Sequence, residues 1–111
     1  MSKRQDFELL SDMKEAINRI SIYLGDLNYE KFFKDVKTQD AVIRNLEIIG
    51  EAAKNLSEGL KKGHHDIPWK ELAGLRDRLI HQYSGVNFEI VWIIVRQELP
   101  ELLEKVEDIL K

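Results

Sequence analysis

Arg76, Asp77, His81 and Tyr83 share one decapeptide, Gly74-Leu75-Arg76-Asp77-Arg78-Leu79-Ile80-His81-Gln82-Tyr83, and these residue types suit acid–base chemistry on a phosphodiester. A histidine near its ordinary pKa removes a proton from a ribose 2′-hydroxyl or protonates a departing 5′-oxygen, while an arginine offsets the charge growing on the phosphoryl oxygens. Those two groups suffice to cut RNA without a metal, leaving a 2′,3′-cyclic phosphate and a 5′-hydroxyl. Asp77, four residues before His81, shares the polar face of a helix with it and can orient the imidazole or raise its pKa. Gly74 leaves room on that face for something to approach.

On an ideal wheel Arg76 and Tyr83 are about 20° apart, in the middle of an apolar stripe of Trp69, Leu72, Leu75, Leu79 and Ile80. Arg76 and His81 are about 140° apart, so one helix alone brings them together poorly. An arginine in such a stripe needs an acid partner, water at its head or a cleft, which leaves a structural ion pair and a functional cleft both open. A second copy of the motif from a partner subunit would supply what one helix lacks.

The rest of the chain reads as a helical frame. Phe7, Leu10, Met13, Ile17, Ile20 and Leu24 recur at steps of three and four, the spacing of one buried helix face, so a first helix spans about 6–24 and stops near Gly25. Asn28 is suited to cap a short helix through Tyr29, Phe32 and Phe33. Thr38 or Asp40 opens a third helix, with Val42, Leu46, Ile49, Ala53, Leu56 and Leu60 as its stripe, running out around Gly59. Gly50 inside it and Asn45 beside its stripe suggest a close neighbour.

Residues 61–67 form a loop, and Pro68 starts the motif helix, which extends to Tyr83 or Ser84. Gly85 ends it, and Asn87 caps the last helix, 88–110. The β-branched run 90–95 resembles a strand in isolation, yet helical spacing continues through Leu99, Leu102, Val106 and Ile109, and no hairpin is apparent. Pro100 lacks the amide that would bond Arg96, so it is expected to kink this helix or split it in two. The near-continuous apolar surface of 90–95 implies burial both in the core and against a second subunit. The expected architecture is all-α, an up-and-down bundle of four to five helices that dimerises.

With 111 residues, the chain fits a single domain over 1–111. A net charge of -3 makes any RNA contact local instead of a matter of overall charge. There is no cysteine, hence no disulfide, thiolate metal site or cysteine nucleophile. No apolar stretch is long enough for a membrane span and the N-terminus has no signal-peptide core, so a cytoplasmic protein is expected. His64-His65-Asp66 lacks a recognisable third ligand and reads as a solvated loop, so no metal and no cofactor are expected. Trp69 and Trp92 read as core or interface anchors, and Lys61-Lys62 is a weak phosphate signal. Glu51, on a charged face with Arg44, Glu47 and Lys54, reads as a surface ion-pair residue or a cleft residue.

Arg76-Asp77-(x3)-His81-Gln82-Tyr83 resembles the motif of the HEPN superfamily, specifically its HepT-like toxins. The segment Asn45-Leu46-Glu47-Ile48-Ile49-Gly50-Glu51-Ala52-Ala53, together with Ile67-Pro68-Trp69, Val91-Trp92 and Leu99-Pro100, resembles further landmarks of that family in the same order. The family often carries asparagine where this chain has Asp77. The resemblance implies a helical bundle whose dimer lines one cleft with two Arg-x4-His motifs. It also implies a metal-independent endoribonuclease, with His81 as general acid/base, Arg76 as transition-state stabiliser and Asp77 as orienter. Such proteins are toxins of type VII-like toxin–antitoxin pairs, silenced by a minimal nucleotidyltransferase antitoxin that transfers AMP to the tyrosine corresponding to Tyr83. A different class of function is a non-catalytic helical module that binds a nucleotidyltransferase or a nucleotide.

Overall fold

The long apolar stripes of the first and third segments become the two longest helices of the computed structural model, α1 (Lys3–Leu24) and α3 (Val36–Asn55). The structure describes residues 3–81 and 85–111, with side chains described for 5–80 and 85–111. Leu10, Met13, Ile17, Ile20 and Leu24 of α1 and Val42, Leu46, Ile49 and Ala53 of α3 are buried, and these two helices pack against each other. Phe7 differs from its expected place in the stripe: it is 56% exposed. Gly25 ends α1 at a φ of 49°, a left-handed conformation that costs glycine little.

A short helix α2 (Tyr29–Lys34) follows, capped by the Asn28 side chain, which accepts from the Lys31 N–H. The chain re-enters helix sooner than Thr38, because Asp35 caps α3 by accepting from both the Thr38 N–H and hydroxyl. Those two bonds hold the Asp35 carboxyl below its ordinary pKa. Gln39, buried, donates to the carbonyls of Phe32 and Phe33 at the end of α2.

The third helix does not run to Gly59. It ends at Asn55, the backbone becomes extended at Leu56, and Ser57 caps a separate helix α4 (Glu58–Gly63). Ser57 is itself fixed from a distance, since the buried Asp6 carboxylate accepts from its N–H at 2.9 Å and its hydroxyl at 2.6 Å. The segment expected as loop 61–67 therefore begins inside α4.

The last segment is helical throughout, as α7 (Phe88–Ile93), a π-helical turn (Ile94–Glu98) and α8 (Leu99–Leu110). The β-branched run belongs to this helix and not to a strand. Val91, Ile94 and Val95 are buried, while Ile93 is 44% exposed. The π turn lies just ahead of Pro100, where an α-helical ladder would lose an amide in any case. α8 packs on α1, and its Leu99, Leu102 and Val106 are buried. The described part of the fold is all-α apart from two strands of two residues, and none of its helices is long and apolar enough to cross a membrane.

Candidate active site

The decapeptide is where the structure departs furthest from a simple wheel. In place of one helix from Pro68 to Tyr83 there are two of five residues, α5 (Trp69–Ala73) and α6 (Leu75–Leu79), separated at Gly74. Then comes a strand β1 (Ile80–His81), antiparallel to β2 (Gly85–Val86) with Ile80 opposite Val86 and His81 opposite Gly85. A hairpin thus exists where none was expected.

Local chemistry accounts for both breaks. Glycine disfavours a helix interior by about 1 kcal/mol relative to alanine, so redirecting the chain at Gly74 costs little. Ile80, a β-branched residue, takes extended angles that suit it. Gly85 adopts a φ of 78°, and the Asn87 N–H bonds the Leu79 carbonyl at 2.7 Å, closing the hairpin onto the end of α6. Asn87 also caps α7 by accepting from the Ile90 N–H.

Packing sets the depth of this segment. Trp69, Leu72, Leu75 and Leu79 are buried, and the Trp69 indole N–H donates to the His64 carbonyl, so Trp69 is a core anchor. Gly50 on α3 is the close-approach point suggested by the sequence: a Cβ there would lie 3.1 Å from the Leu72 carbonyl oxygen. α3 and α5 come this near only because the position has no side chain. Asn45 is buried too, and its amide donates to the Ala41 carbonyl.

The break at Gly74 changes what Arg76 faces. Arg76 does not emerge from an apolar stripe but is exposed, as is Asp77. Among the described residues Arg76 has no ion-pair partner. The structural ion pair belongs instead to Arg78, whose Nη1 and Nη2 donate to Oε1 and Oε2 of Glu98 at 3.1 and 3.0 Å. Hydrogen bonding to Glu98 pushes the Arg78 pKa above its ordinary value.

His81 sits on β1 instead of the helix, so neither its expected 140° offset from Arg76 nor the helical face it was to share with Asp77 exists. The placement of the His81 side chain and all of Tyr83 lie outside the described residues. Glu51 is exposed and lines a groove between α1 and α3 with Leu9, Asp12, Arg44 and Glu47; among the described residues, none of the motif lines that groove.

Arg78, Glu98 and Asn87 were not singled out as site-supporting residues by the sequence. On a continuous helix Arg78 falls on the polar face, about 160° from Arg76, where an arginine attracts no notice. Glu98 lies in a helix whose facing is reset by the π turn. For Asn87 only its helix-capping role was legible.

Comparison with known proteins finds the family that the motif resembles. The family model for HepT-like ribonucleases matches residues 13–109. The chain is 45% identical over 105 residues to "Putative RNase MJ0127" of Methanocaldococcus jannaschii, covering 95% of this chain and 84% of that one. It is 45% identical over 109 residues to "Probable ribonuclease HepT" of Thermococcus cleftensis, covering 98% and 99% respectively. It is 48% identical over 103 residues to "Putative RNase TTE0752" of Caldanaerobacter subterraneus subsp. tengcongensis, covering 93% and 88%. No solved structure gave a match. These relationships support a ribonuclease function, and the chain belongs to the HepT-like ribonuclease family.

Proposed function

We propose that the chain is a metal-independent endoribonuclease in which Arg76 stabilises charge on the phosphoryl oxygens and His81 moves the proton. The observation that carries this reading is the division of labour between two arginines. Arg78 takes the structural ion pair with Glu98, while Arg76 is exposed and, among the described residues, has no ion-pair partner. A guanidinium left in that state is available to a phosphate. Asp77, also exposed, is assigned the orienting of His81 from its place in the motif and not from a shared helical face.

The working unit is a homodimer in which two motifs line one cleft. Supporting this are apolar side chains left exposed on the motif strand and on the helix that follows it: Ile80 and Ile93 are each 44% exposed. Exposed apolar side chains on a small protein suit an interaction surface.

The biological role proposed is that of a toxin in a type VII-like toxin–antitoxin pair, held inactive by a minimal nucleotidyltransferase. That partner transfers AMP from ATP to the Tyr83 phenol oxygen, which forms a bond to the α-phosphorus as pyrophosphate leaves. The adduct brings negative charge and bulk beside a site that must accept a phosphodiester.

Incubating the purified chain with RNA in EDTA tests the catalytic reading. Wild type is expected to leave 2′,3′-cyclic phosphate ends, and His81→Ala to lose cleavage with its melting temperature unchanged. Equal cleavage by both proteins points to a contaminating nuclease and leaves the non-catalytic module standing. Light scattering tests the dimer separately, and a monomer at micromolar concentration overturns the composite cleft.

A further inference from the structure

α6 has five residues, too few for a helix to support itself in water, so its orientation is set from outside. Leu75 and Leu79 are buried one turn apart on the same edge. They fix the depth of α6 but leave it free to roll about that edge. Its C-terminal end is held by the bond from the Asn87 N–H to the Leu79 carbonyl, which constrains position more than roll.

Arg78 supplies the missing constraint. On the wheel of α6, Arg78 and Arg76 lie on opposite flanks of the Leu75–Leu79 edge, each about 80° from its middle. Fastening one flank therefore sets the direction of the other. The fastening is two-pronged, from Nη1 and Nη2 to both carboxylate oxygens of Glu98, and a guanidinium fork resists rotation as a single bond does not.

Glu98 is itself firmly presented. It closes the π turn Ile94–Glu98, with Ile94, Val95 and Leu99 buried around it. An inserted residue in a helix offsets the side chains that follow by about 100°, so the π turn bears on where Glu98 points.

We propose that Arg78 and Glu98 are positioning residues whose two-pronged bond sets the roll of α6, and with it the direction in which Arg76 and the strand bearing His81 meet RNA. The inference rests on the ribonuclease reading of Arg76 and His81. Neither member of the pair is a substrate contact: the donors seen on Arg78 are engaged by carboxylate, and the pair together is neutral. Nor is the pair a main source of stability, because its side chains are 36% and 40% exposed and solvent screens ion pairs of that kind. Orientation is a different matter, since a displacement of about 1 Å in a catalytic group can cost on the order of 100-fold in rate.

The test uses the full chain, RNA cleavage kinetics and amide hydrogen exchange. Glu98→Gln is expected to lower kcat by about tenfold or more with KM and melting temperature unchanged, and to speed exchange at the Ile80 and Asn87 amides but not in α1 or α3. Arg78→Lys, which keeps the charge and loses the fork, should fall with it. The charge-swapped double variant R78E/E98R should recover part of the loss of either single change. A raised KM with kcat unchanged would put Arg78 on the RNA and overturn the proposal, as would unchanged kcat with unchanged exchange. If wild type cleaves no RNA, the ribonuclease reading fails by itself. Amide exchange then decides the positioning role alone, and its failure to change in Glu98→Gln would end it.

Discussion

The α1–α3 pair and the segment from Trp69 to Val86 are held by different means. In the pair, helices of 22 and 20 residues bury side chains at every turn, so many contacts share the task and no single one decides the geometry. In the motif segment, Trp69, Leu72, Leu75 and Leu79 of two five-residue helices are buried, but the facing of those helices and of the two short strands depends on a few named contacts. These are the Leu72 carbonyl against Gly50, the Asn87 amide on Leu79 and the Arg78 fork on Glu98. The first region is stable through redundancy. The second is accurate only while each tether holds, which makes it the place where small changes alter function before they alter the fold.

The widest separation between the two regions should come from Arg76→Ala. Loss of a transition-state donor costs on the order of 100- to 1000-fold in kcat, and an exposed side chain without an ion-pair partner among the described residues should leave the melting temperature where it was. A melting temperature several degrees lower would make Arg76 part of the frame. Gly50→Val reverses the pattern, because its Cβ meets the Leu72 carbonyl at 3.1 Å. Overpacking of that kind costs about 1–3 kcal/mol, measurable by urea denaturation; a neutral result would show that α5 yields freely.

Asn87→Ala removes the cap on the Ile90 amide and should cost about 1 kcal/mol, with amide exchange rising first around the hairpin. Exchange rising equally in α1 would erase the distinction between frame and tether. The smallest effect concerns Asp35, whose carboxyl is held below its ordinary 3.8 by the two Thr38 bonds. A carboxyl with a lowered folded pKa lends stability above its unfolded value, and that stability fades as pH falls through the lowered one. Asp35→Ala should therefore flatten the acid limb of the stability profile below about pH 4, and identical limbs would remove the cap from the account.

What the sequence made legible follows the same division. The stripes of α1, α3 and α8 could be read because a helix packed along its length repeats one rule, and Leu10 through Leu24 or Leu99 through Val106 obey it. The caps at Asn28 and Asn87 were legible from residue type. Arg76 and His81 stood out in the sequence as candidates for chemistry, but the geometry of the segment that carries them was not legible. Gly74 and Ile80 each make a break inexpensive without requiring it, and only contacts from elsewhere, such as Asn87 on Leu79, decide that the chain turns. Arg78 shows the limit most clearly, since its partner Glu98 stands twenty residues away beyond a π turn that no local spacing announces.

Asp6 and Ser57 are 51 positions apart, and closing a loop of that length is entropically costly until α1 already lies on α3. Their bond is therefore expected to join the structure after the two helices have docked. A contact made so late should slow unfolding while leaving the folding rate alone, so Asp6→Asn is expected to shorten the life of the native state more than it delays its formation.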